Sequence, residues 1–199
     1  MKPLFLKRFC ARERQTLLSL QRFGPLRHRV PSVSLCRDEQ FLAMSRYDTD
    51  LFEAMNKQIA ITSTFAKELF TFLDVLHEDA GMFHGDIKPE NICMNVGING
   101  GDLHSWALID WESARTHGAT FVGPYTPDYM PPCESPSASG DVYSAAVTLL
   151  VAHNRKPPTA VREMVEHLPV WWTLFNSVRV RPTAKEAAEL PWEELLTTK

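Results

Sequence analysis

From Ala145 to Ala152 every residue except Thr148 is apolar, and this run continues a helical stretch that opens at Asp141. A helix with no polar face must be covered on all sides. These eight residues fall far short of the ~20 that cross a bilayer, so the cover has to come from the chain itself. The stretch therefore marks the middle of a core. With 199 residues, 44% of them hydrophobic and 23% charged, the chain has the length and composition of one globular domain with a sizeable interior.

The remaining pattern predicts strands first and helices later. Residues 3–9 read as a short strand and Ala11 to about Arg22 as a helix, stopped by Gly24-Pro25. Val33 to Leu35 and Gln40 to Met44 are two more short strands. Leu51 to about Lys57 is helical, and Thr62 to Glu78 carries Phe65, Leu69, Phe72, Leu73 and Leu76 at helical spacing. From Gly81 the texture changes: a polar run from His84 to Asn91, a strand at Ile92–Val96, a turn at Gly97–Gly101 and a strand at Trp106–Ile109. A proline-rich loop leads from Asp110 to about Ser139. Helices follow at Asp141–Ala152, Pro157–His167, Val170–Asn176 and Thr183–Leu196. There is no internal repeat, and the order predicts an α+β fold.

A formal net charge of −3 and an isoelectric point near 6.2 provide no field for nucleic acid or acidic membranes. The four cysteines, Cys10, Cys36, Cys93 and Cys133, show neither CxxC pairing nor metal-ligand spacing, the pattern of reduced intracellular thiols. The apolar part of Met1–Lys7 is too short for a signal peptide. The expectation is a soluble protein of the cytoplasm or nucleus, without nucleic-acid or membrane partners.

Chemistry concentrates in His84-Gly85-Asp86-Ile87-Lys88-Pro89-Glu90-Asn91. An Asp and an Asn five residues apart on a rigid loop can orient a hydroxyl proton and help hold a divalent cation on phosphates. About twenty residues on, Asp110 ends an apolar strand in Ala107-Leu108-Ile109-Asp110-Trp111-Glu112. In this order the segments resemble the catalytic loop (H-R-D-L-x-x-x-N) and metal site (D-F-G) of eukaryotic-type protein kinases. Three later stretches add to the resemblance. Tyr129–Cys133 is similar to the segment that closes the activation region. Asp141-Val142-Tyr143-Ser144 is similar to the start of the family's long buried helix, whose Asp bonds the catalytic-loop backbone. Arg181-Pro182-Thr183-Ala184 is similar to the site of an Arg that pairs with a Glu, where Cys133 stands in the Glu position and Glu134 is a substitute one residue on.

The resemblance implies a two-lobed fold, with residues 1–47 as a reduced smaller lobe and hinge and 48–199 as the larger lobe. It implies ATP and Mg²⁺ as cofactors. Asp86 would be the catalytic base, Lys88 a contact to the γ-phosphate, and Asn91 and Asp110 metal ligands. Leu42–Leu51 resembles the fifth strand and hinge, with wording similar to herpesvirus Ser/Thr kinases. There the backbone from Ser45 to Tyr47 would meet adenine, Met44 would be gatekeeper, and Asp50 would lie near the ribose. Lys7 would contact the α- and β-phosphates with Glu13 as its helix partner, although the two stand only six residues apart, closer than in the family.

Departures are explicit. No glycine precedes Lys7 to form a phosphate-covering loop. Gly85 replaces an Arg that in many members receives an activation-loop phosphate, Trp111 replaces Phe, and Glu112 replaces Gly. Phosphorylation of Thr116, Thr120, Tyr125 or Thr126 is therefore not expected to switch activity on. Three functions are implied: a protein Ser/Thr kinase acting on a protein substrate; a weak pseudokinase that binds a host kinase or its substrate; and a small-molecule phosphotransferase, since aminoglycoside and choline kinases also write H-G-D and D-W-E.

Overall fold

In the computed structural model, residues 4–8, 10–35, 41–96, 103–120, 123–132, 134–165, 171, 174–175 and 181–197 are described. The chain is an α+β protein built from small antiparallel sheets and helices. Strand β1 (Leu4–Arg8) runs into helix α1 (Ala11–Arg22), and β2 (Val33–Leu35) and β3 (Phe41–Ser45) complete a sheet of order β1-β3-β2. In its register Lys7 faces Leu42 and Phe5 faces Met44. A second sheet has the order β4-β6-β7, from Thr49–Asp50, Ile92–Val96 and Leu103–Leu108. A two-residue ribbon pairs β5 (Met82–Phe83) with β8 (Arg115–Thr116).

The helices form where the apolar spacing and the caps agree. Helix α2 (Leu51–Asn56) is capped by Asp50, whose Oδ1 accepts the Glu53 amide at 2.8 Å. Helix α3 (Ser63–Asp74) is capped by Thr62, whose hydroxyl accepts from Phe65 at 3.1 Å. Each cap satisfies one amide that the first turn leaves without a helical partner. Beyond Asp74 the chain widens into a π turn at Val75–Asp79 rather than continuing as α-helix to Glu78. Helix α4 (Ala138–Asn154) is buried from Gly140 through Ala152, which places the apolar run in the interior as its composition requires.

Aromatic rings join these layers. Phe70 of α3 stacks on Trp192 at 5.2 Å, and Trp192 meets Trp171 edge-on at 5.3 Å. Phe65 and Phe72 both present edges to Trp106 of β7. Arg29 ties the segment after α1 to this cluster: its guanidinium lies 4.7 Å over the Trp106 ring and pairs with Glu68 at 2.6 Å. Its carbonyl accepts the Leu108 amide at 2.9 Å.

A second helical expectation is also corrected. After α5 (Pro158–Val165), Thr183–Leu196 is not a continuous helix but two short ones, Ala184–Ala188 and Trp192–Leu195. Pro191 breaks the stretch, because it has no amide to donate and its ring clashes with the preceding turn. The Gly97–Gly101 turn and Cys133 lie outside the described residues, and the Val170–Asn176 helix does so in part. Among the described residues no helix is long and apolar enough to cross a membrane.

Phe70 is fully buried against Trp192. Phe70→Ala should therefore cost about 3–5 kcal/mol of stability, read as a lower midpoint in urea unfolding with an unchanged slope.

Candidate active site

The loop from His84 to Asn91 is positioned by the first turn of the buried helix α4. Asp141, 1% exposed, accepts the His84 amide at 2.7 Å on Oδ2 and the Gly85 amide at 2.8 Å on Oδ1. His77 from the π turn adds its Nε2 at 3.1 Å. This is the backbone bonding anticipated for Asp141. Gly85 has φ 82°, a left-handed conformation that glycine adopts without a Cβ penalty.

His84 then sets the far end of the site. The Asp86 amide donates to its Nδ1 at 3.3 Å, so the ring proton sits on Nε2 and points at the Ile109 carbonyl, 3.0 Å away. Burial lowers the His84 pKa, against the opposing pull of Asp141, and the ring is held as a neutral bridge. The Ile109 amide in turn donates to the Asn91 carbonyl at 2.9 Å. Both ends of the 84–91 loop are thus bonded to the residue immediately before Asp110.

Within the loop, Asp86 is 8% exposed and engaged at both oxygens. Oδ1 accepts the Thr126 amide at 2.8 Å; Oδ2 accepts Lys88 Nζ at 2.9 Å and Asn91 Nδ2 at 3.2 Å. Lys88 also donates to the Thr126 hydroxyl at 2.8 Å. Asn91 Nδ2 donates to the Asp86 carbonyl at 2.8 Å, which leaves its side-chain oxygen as the atom able to face a cation. Such a carboxylate, fixed by neutral donors and one ammonium, can orient a hydroxyl beside it.

The second half of the site gathers on Lys7. Its ammonium reaches Glu13 of α1 at 2.9 Å, Asp110 at 2.6 Å and Glu112 at 3.1 Å. Strand β1 delivers the lysine and α1 follows almost at once, so six residues suffice to bring Lys7 and Glu13 together. Burial works to lower the Lys7 pKa, but hydrogen bonds to Asp110 and Glu13 outweigh it and raise it, so the amine is held protonated. Glu13 is fully buried. Burial pushes its carboxyl up while Lys7 pulls it down, and the Trp111 amide supplies a further donor at 3.1 Å. Asp110 itself has φ 64° and ψ 65°, a conformation that costs a non-glycine residue of order 1–3 kcal/mol and clusters at functional sites.

The hinge-like residues have mixed surroundings. The Ser45 amide donates to the Ser32 carbonyl at 3.1 Å, so this donor is already used. Tyr47 is half-buried, and burial with the neighbouring Cys93 thiol pushes its phenol up to about 12. Asp50 pairs with Cys93 across β4 and β6 and caps α2. Lys7, Glu13 and Asp110 share one cluster and Asp86, Lys88 and Asn91 another, linked through Ile109 and His84.

Two residues carry contacts that the sequence pattern did not assign. Thr126 holds both Asp86 and Lys88, and Glu112 joins the Lys7 cluster. Neither has a local signal, since the first contact spans 40 residues and the second joins the two ends of the site. Further out, Arg181 forks onto Glu134 with both nitrogens at 3.1 Å, the one-residue substitution anticipated beside Cys133. Comparison with models of known protein families and with curated proteins finds no match.

The neutral, buried His84 has a pH consequence. Below its ordinary value of 6.5 an unfolded chain takes up a proton that the folded ring refuses. Stability should fall as pH drops from 6.5, by at most about 1.4 kcal/mol per pH unit from this residue. Urea unfolding at pH 7 and 5.5 measures the loss, and the His84 ring resonances should titrate at a lower pH in the folded chain than in the unfolded one.

Proposed function

We propose that the chain is a protein serine/threonine kinase that transfers the γ-phosphate of ATP to a protein hydroxyl. On this reading the fold is two-lobed, with the β1-α1-β2-β3 unit, residues 1–47, as a small lobe and hinge and residues 48–199 as the large lobe. The observation that carries it is the Lys7 cluster. An ammonium on the first strand meets Glu13 and, 103 residues away, Asp110, and Asp110 follows the residue bonded to both His84 and Asn91. Phosphoryl transfer needs an ammonium and a metal-binding carboxylate near one point, and this cluster offers both.

The roles follow from the contacts. Asp86 accepts and orients the hydroxyl proton, with the Thr126 amide fixing one oxygen. Lys88 sits beside that carboxylate and balances charge on the transferred group. Lys7 binds the α- and β-phosphates and Glu13 holds its direction. Asn91 and Asp110 offer hard oxygen atoms, which fit Mg²⁺. When bound, Mg²⁺ neutralises charge across the β- and γ-phosphates. The backbone of Arg46 and Tyr47, beyond the Ser45 amide already used, faces adenine, and Asp50 lies at the ribose. Lys88 in the D-x-K-P-E-N wording supports serine or threonine rather than tyrosine as the acceptor.

One observation favours a second reading, a pseudokinase that binds a kinase or its substrate: Glu112 adds a third carboxylate around Lys7. A small-molecule phosphotransferase is disfavoured by the Arg181–Glu134 pair and the Asp141 contacts, which belong to stretches that resemble protein kinases alone.

With Mg-ATP and a generic basic protein, the wild type should transfer γ-phosphate, and Asp86→Asn should lower the rate at least ~100-fold. A melting temperature raised by Mg-ATP and not by ATP with EDTA should accompany it. Equal transfer by both proteins would assign the signal to a contaminant and end the enzyme reading.

A further inference from the structure

Three carboxylates surround the Lys7 ammonium: Glu13 at 2.9 Å, Asp110 at 2.6 Å and Glu112 at 3.1 Å. An ammonium has three protons and no acceptor. With three carboxylates around it, a phosphate oxygen gains a proton only by displacing one of them.

The three differ in what else holds them. Glu13 is fully buried and also accepts the Trp111 amide, so it stays. Asp110 has a second oxygen for a cation and keeps its own part in the proposed site. Glu112 is the member to which the proposed site gives no other part. Its side chain is 36% exposed, much as that of Asp110 is at 38%, and its backbone carbonyl is pinned by Arg115 Nη1 at 2.9 Å. The side chain can therefore swing to solvent without moving the chain.

We propose that Glu112 is a positioning residue that competes with bound phosphate for Lys7, and so weakens nucleotide binding through the phosphates alone. The inference rests on the kinase reading above and deepens it. Two effects act in the same direction. Glu112 occupies a proton of the ammonium, and it leaves three negative charges against one positive at the place where a polyphosphate arrives. A ligand with adenine and ribose but no phosphate escapes both effects.

The test is calorimetric titration of wild type and Glu112→Gln with ATP and with adenosine, each in Mg²⁺. The variant keeps the size of the side chain and removes its charge. The pair is partly exposed, so ATP should bind about two- to fivefold more tightly to the variant, and adenosine should bind both alike. The KM for ATP should fall with kcat little changed. ATP affinity that is unchanged or weaker, or a gain shared equally by adenosine, overturns the proposal.

A second measurement needs no ligand. Lys7→Met, Glu112→Gln and the double variant form a cycle whose effects on the urea midpoint should fail to add; strict additivity removes the ion pair and the proposal with it. Failure of this inference and of the kinase reading look different. If wild type and variant bind ATP equally, the nucleotide site stands and only the role of Glu112 falls. If neither binds ATP, both fall. ATP binding by the variant alone supports the competition in its strongest form.

Discussion

The carboxylate of Asp141 is the constraint on which the site depends. Removing an ionised group from water is costly unless hydrogen bonds replace the lost hydration. Asp141 is 1% exposed in the first turn of a helix that is buried from Gly140 through Ala152, and it is compensated by the amides of His84 and Gly85 and by His77. The same bonds that make its burial tolerable fix two consecutive peptide units of the loop bearing Asp86. From there the order propagates: the Asp86 amide holds His84, His84 holds the Ile109 carbonyl, and Ile109 immediately precedes Asp110. Core and site are thus one object, since the helix that excludes water also carries the charge that aims the loop.

The legible parts of the fold are those where short-range chemistry decides. Helix α1 runs from Ala11 to Arg22 and strand β6 from Ile92 to Val96, as the apolar spacing predicts. Helix α4 is buried because its sequence leaves no polar face. The misses have local causes that periodicity cannot register. A π turn at Val75–Asp79 keeps helical spacing while widening the ladder. The split at Pro191 hides within a stretch whose apolar residues still recur at helical intervals on either side of it. Strand β7 begins at Leu103 because its backbone pairs with β6, not because its early residues are apolar.

For the site, motif wording identified which residues carry charge but not which oxygen each one meets. Asp86, Lys88 and Asn91 lie within six residues of one another and interact as their spacing suggests. Lys7 and Glu13 were named as a pair despite their short separation, and the strand-to-helix connection explains how six residues are enough. Thr126 and Glu112 were not given these contacts, because each depends on a chain path that brings distant segments together. The hinge is the least legible region. Backbone groups do its work on the proposed reading, and one of them, the Ser45 amide, is already bonded to Ser32.

The two residues beside the site, Gly85 and Glu112, have different physical meanings. Gly85 sits at φ 82°, so a residue without a Cβ suits the backbone there. Glu112 adds a charge at a point where Glu13 and Asp110 already outnumber Lys7. Charges of like sign this close persist only when a cation lies among them. Here that cation is the lysine itself, whose pKa is raised by Asp110 and Glu13 despite burial. An arrangement of this kind is tuned by its ammonium: if Lys7 is drawn away, the carboxylates left behind need another cation or a proton.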